Sequence, residues 1–130
     1  MNALVPRELL TVLVHVGADS VTATFDLGDA YELDVAPDYF SYGFATVEHD
    51  GTPVKRFGVK FGPDKTTAHI YDMTNNTGAN YDASHITDRD TSVVVHFRDA
   101  SLDTTTVVPL TGFGSVEGED VAVAVPVQVL

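Results

Sequence analysis

The chain contains no cysteine, which removes disulfide staples, thiolate zinc sites and thiol nucleophiles together. It has no run of 18 apolar residues, the length a helix needs to cross a bilayer, so the expectation is of no membrane partner. The opening Met-Asn-Ala-Leu-Val-Pro-Arg-Glu lacks a basic region followed by an apolar core, so no secretory signal is read there, and the expectation is a soluble protein. Positive charge is scarce: 7 lysines and arginines face 19 acids, a formal charge of −12. Such a surface repels polyanions, and nucleic acid is excluded as a primary partner.

What is present fits one globular domain over residues 1–130. The chain has 44% apolar and 20% charged residues, and chains of this length rarely divide. Valine, threonine, phenylalanine and tyrosine recur with a spacing of two, the rhythm of half-buried strands. Val12, Val14 and Val16 share one face; so do Val21, Ala23 and Phe25; so do Phe40, Tyr42 and Phe44; so do Phe57, Val59 and Phe61; so do Val93, Val95 and Phe97. Asp50-Gly51 predicts a hairpin between the third and fourth of these runs. Residues 26–29 predict another, joining the strand at 20–26 to one containing Tyr31, Leu33 and Val35, and Gly17-Ala18-Asp19 predicts the turn that leads from the strand at 11–16 into the one at 20–26. Residues 66–73 and 103–110 complete the internal strands. At the end Val121, Val123, Val125, Val127 and Val129 form one stripe, which Pro126 places at an edge or interrupts. Pro53 likewise confines the start of its strand to an edge or a bulge. Pro6-Arg7-Glu8 supports at most one short N-terminal helical turn. The expected fold is all-β: a single antiparallel β-sandwich or jelly-roll-like domain of eight to nine short strands.

Residues 74–90 show neither period and predict a long polar loop, the kind of segment that binds or packs against something. Asp72, Asn76, Asp82, Asp88 and Asp90 are hard oxygen donors there, but their spacing is not that of an EF-hand. His69, His85 and His96 could form a three-nitrogen metal site if the strands flanking the loop paired, with Asp72 and Asp82 as further ligands; the competing reading is half-exposed histidines on outer strand faces. No nucleophile elbow, phosphate loop or metal-binding helix motif occurs, so no catalytic residue and no cofactor are expected.

The bases cluster. Lys55, Arg56, Lys60 and Lys65 lie within eleven residues holding one acid, a segment of +3 on a remainder of −15. One reading is a strand edge guarded by lysines. The other is a contact strip for the acidic surface of an identical or related subunit. Together with Tyr81 and His85 of the loop, these are the candidate partner-binding residues. The leading functional expectation is therefore a non-enzymatic structural or assembly protein, such as one decorating or lining a viral particle, acting as a homo-oligomer or on other protein subunits. A carbohydrate or polar-ligand module using the 74–90 loop, and a cupin-like metal enzyme using the histidines, are the alternatives.

Overall fold

The computed structural model describes residues 5–47, 53–73, 75–89, 91–98 and 110–130. Among them are eleven strands and one short 3₁₀ turn: β1 Arg7–Val16, β2 Ser20–Ala30, β3 Phe40–Val47, β4 Pro53–Phe61, β5 Thr66–Asp72, β6 Thr77–Tyr81, the 3₁₀ turn Ala83–His85, β7 Ile86–Asp88, β8 Ser92–Arg98, β9 Leu110–Val116, β10 Glu119–Val125 and β11 Val127–Val129. They form a β-sandwich of two sheets, one ordered β11-β1-β2-β8-β7 and the other β10-β9-β3-β4-β5-β6. Every pairing is antiparallel except β1 with β11.

The two-residue rhythm decides which side chains meet. Each of the five triplets read from the sequence turns its rings and β-branched groups between the sheets, and all but Val16 are buried. Register then converts sequence spacing into ring contacts. Phe44 faces Phe57 and Phe40 faces Phe61 across the β3–β4 pair, stacked with centroids 4.7 Å and 5.1 Å apart. Phe97 of β8 meets Phe57 edge-on at 5.3 Å, tying the two sheets together. Such pairs add about 0.5–1.5 kcal/mol beyond the burial of their area.

Several expectations need correction. The N-terminal helical turn does not form; residues 7–10 open β1. Pro6 is buried, the Arg7 N–H donates to the Tyr42 hydroxyl at 2.8 Å, and the Tyr31 N–H donates to the Pro6 carbonyl at 3.0 Å. These tertiary bonds override a weak local helix signal. Residues 31–35 form no strand against β2, whereas the turn expected at Gly17-Ala18-Asp19 does form and makes β1 its hairpin partner, Val16 pairing with Val21. β2 runs on through the predicted turn at 26–29 because Leu27 reaches the core opposite Leu9. Leu33 and Val35 alternate correctly but have no sheet to face, and stand 46% and 80% exposed.

The 74–90 segment is not a structureless loop. After its first residues it forms β6, crosses through the 3₁₀ turn, and joins the other sheet as β7. The C-terminal stripe is likewise two strands. β10 pairs with β9 as far as Val125 opposite Gly112; Val127 then pairs with Val12 of β1 in the opposite sheet. Ala124, at φ 54°, and Pro126 sit at this crossing. Within β10 the register shift between Ala122 and Val125 breaks the single face, so that Ala122 packs against the core and Val125 is buried while Val121 and Val123 stand 45% and 66% exposed. Pro126 therefore interrupts two edge strands, as expected of it. Pro53 pairs with Val47 across a register shift, the bulge its position required. The Asp50-Gly51 turn and most of the strand predicted at 103–110 lie outside the described residues, although β3 and β4 pair as that turn demands.

Candidate functional site

β4 lies inside its sheet, between β3 and β5, so its bases do not guard an edge. With Phe57, Val59 and Phe61 turned inward, Arg56, Gly58 and Lys60 must face outward. Lys55 has the other parity; its ammonium lies 5.5 Å from the Phe57 ring. The strip is thus divided: Arg56 and Lys60 belong to the outer face, Lys55 lies on the inward side, and exposed Lys65 stands in the turn after β4.

Register assembles the rest of that outer face. Beside Arg56, Gly58 and Lys60 stand Tyr71, His69 and Thr67 of β5 on one flank and Ala45, Gly43 and Ser41 of β3 on the other; Phe113 and Ser115 of β9 lie beyond β3. Two glycines let rings lie down on the sheet. A Cβ on Gly58 would come within 2.7 Å of the His69 ring, and one on Gly43 would strike the Phe113 ring and the Phe57 carbonyl oxygen, the latter at 2.6 Å. Phe113 therefore covers Gly43 and His69 covers Gly58. A cleft of about 400 Å³ opens here, lined by Ser41, Arg56, His69, Tyr71, Met73 and Phe113 among others. A second hollow of about 280 Å³ follows on past Lys60, reaching Tyr39, Lys65 and Thr67.

Both outward cations sit on aromatic rings. The Arg56 guanidinium lies 4.2 Å from the Phe113 centroid, and the Lys60 ammonium 4.5 Å from that of Tyr39. Neither has a carboxylate within ion-pairing distance among the described residues. Between them His69 is held below the ordinary histidine pKa, first by burial and then by the positive charges of Arg56 and Lys60. The two charges that act on His69 are both positive, and the acids Asp38 and Asp64 line the second hollow beyond Lys60.

The metal candidates are dispersed. His69 points out from the six-stranded sheet, because Ala68 and Ile70 on either side of it are buried. His96, flanked by buried Val95 and Phe97, points out from the five-stranded sheet and lies 3.1 Å from the Thr22 hydroxyl. The two imidazoles are thus on opposite outer surfaces of a sandwich whose sheets pack roughly 10 Å apart, and the proposed triad with His85 does not assemble. Asp72 bonds the backbone and side-chain nitrogens of Asn75 at 3.1 Å and 3.0 Å. Asp82 caps the 3₁₀ turn, accepting from the Ser84 N–H and hydroxyl, bonds that pull its carboxyl below the usual aspartate value. Among the described residues no group of three or more metal-ligating side chains converges. Asp90 lies outside them.

Tyr81 and His85 are brought together, rings edge-on at 5.3 Å. Tyr81 also meets Phe97 at 5.6 Å and donates its hydroxyl proton to the Arg98 carbonyl at 2.7 Å, closing one end of the sandwich. Sequence reasoning missed Phe113, Ser41 and the two glycines. The signal was available: a glycine inside each of two aromatic strands, on the face opposite the rings, marks a place where something lies close against the sheet.

Comparison with known proteins returns no match, whether with family models, curated proteins or solved structures. Among the described residues no helix is long and apolar enough to cross a membrane.

Proposed function

We propose that the protein is a non-enzymatic assembly module whose working surface is the outer face of the six-stranded sheet, docking on the acidic surface of a second copy or a related subunit. The observation that carries this reading is the state of Arg56 and Lys60. With 19 acids and 7 bases in the chain, a cation has abundant acids to pair with, yet these two stand on aromatic rings on one face. Cations held this way keep their long-range field for a partner, and complementary potentials steer association and fix its register. A face that meets a different surface of the next copy is heterologous, and repeats into rings or open arrays. A shell or filament such as a viral particle is a setting that uses such a contact.

The test is sedimentation and native mass measurement across a salt series. Association is expected at low ionic strength and should weaken toward molar salt, as the Debye length falls from about 10 Å to about 3 Å. The double variant Arg56→Glu, Lys60→Glu should remain monomeric throughout. A strictly monomeric wild-type protein at all salt concentrations, or association indifferent to both salt and the double variant, would overturn the proposal.

A further inference from the structure

The cleft above Gly43 and Gly58 has the chemistry of a small site as well as of a docking face. The Arg56 guanidinium lies over the Phe113 ring, 4.2 Å from its centroid, and a guanidinium supported on a ring in this way still has N–H donors to offer a ligand at its edge. A planar fork of donors matches the two oxygens of a carboxylate, and such paired, charge-assisted bonds are stronger than neutral ones. The surroundings favour the same occupant. The lining brings the imidazole of His69 and the hydroxyls of Ser41 and Tyr71, and no carboxylate. The Ser41 hydroxyl is 2.6 Å from that of Ser115, and Tyr71 donates to the Asn76 side-chain oxygen.

We propose that this cleft is a carboxylate-binding site, in which the Arg56 guanidinium grips both oxygens and the His69 imidazole lies beside them. The carboxylate belongs either to a small organic acid or to an aspartate or glutamate side chain of a docked subunit. The second source rests on the assembly reading above and deepens it; the first needs no second subunit. Binding is linked to protons. The charged groups facing His69 are Arg56 and Lys60 of β4; on its own strand the same face carries Thr67 and Tyr71, and β6 sets uncharged Asn80 opposite it. A bound anion offsets the two cations and favours the imidazolium, so binding takes up a proton and tightens as the pH falls.

Proton NMR of the dilute protein, following the His69 ring resonance across pH, tests this with acetate and with a glutamate residue blocked at both ends as probes. Acetamide and sodium chloride at matched ionic strength are the controls. Both carboxylates should move the resonance and raise its titration midpoint, and the controls should not. Arg56→Gln should weaken binding by about tenfold or more, and Arg56→Lys by less, since it keeps the charge and loses the fork. Tighter binding of the blocked glutamate would assign the site to a partner's side chain, and tighter binding of acetate to a free acid. An equal response to chloride, or full binding by a folded Arg56→Gln protein, would overturn the proposal. Carboxylate binding by a protein that never self-associates leaves this site standing and removes the assembly reading. Salt-sensitive association lost in Arg56→Gln, without any acetate response, does the reverse.

Discussion

Gly43 and Gly58 occupy neighbouring places on one face but tolerate a side chain differently. A methyl group at Gly58 meets the edge of the His69 imidazole, which can swing outward; at Gly43 it meets the Phe57 carbonyl oxygen, which is part of the sheet. Gly43→Ala is expected to cost about 1–3 kcal/mol of stability, measured by urea unfolding, and Gly58→Ala clearly less. The pH dependence of stability belongs to this scale as well. Burial and the two neighbouring cations lower the His69 pKa in the folded protein, so below about 6.5, the ordinary value, the unfolded chain takes up a proton that the folded chain resists. This contribution favours folding fully at neutral pH and is lost as the pH falls from about 6.5 through the folded pKa. His69→Gln should remove that part of the slope in a pH series of unfolding midpoints. Tyr42, pushed up to about 12 chiefly by burial, stays neutral over the same range.

At the scale of elements, the sheet edges are treated unequally. β7 and β11 have three residues each, and β10 carries Glu119 and Asp120 with two register shifts; shortness, charge and bulging are the ordinary defences of an edge. β11 also covers β1, with bonds from the Val12 N–H to the Pro126 carbonyl at 3.0 Å and from the Leu130 N–H to the Val14 carbonyl at 2.8 Å. Deleting residues 127–130 would uncover the long, mostly apolar β1. The expected outcome is a loss of about 1–2 kcal/mol from the half-buried Val127 and the lost ladder, together with aggregation visible by light scattering. Undiminished stability and solubility would show that β11 is dispensable. The register shifts within β10, together with the crossing at Pro126, show why the last stripe was misread. A period of two records which side of a strand a residue takes, not which sheet the strand joins, and Val121 and Val123 keep the rhythm while facing solvent.

For the whole molecule, the formal charge of −12 makes two opposed salt effects. Self-repulsion within one subunit is screened as salt rises, so the monomer's thermal midpoint should increase between about 10 mM and 0.15 M, while the proposed contact between subunits weakens. Scanning calorimetry of the Arg56→Glu, Lys60→Glu variant isolates the first effect; a midpoint that falls over this range would contradict it. The β-sandwich and its aromatic core were legible from the sequence, because alternation of apolar side chains is a local property and burial follows from it. The face on which Arg56, His69 and Phe113 meet was not. The centres of its paired strands lie from about 12 to about 70 residues apart in the chain, and only hydrogen-bonded register sets Arg56 next to Ala45 and Tyr71, or Gly43 next to Phe113. The same holds for the histidines: their outward parity was written in the chain, but their placement in two different sheets was decided by the crossing from β6 to β7. Sequence determined which side of each strand is greasy; the order of strands in the two sheets, which depends on long-range pairing and the packing it permits, decided what those sides and their opposites touch.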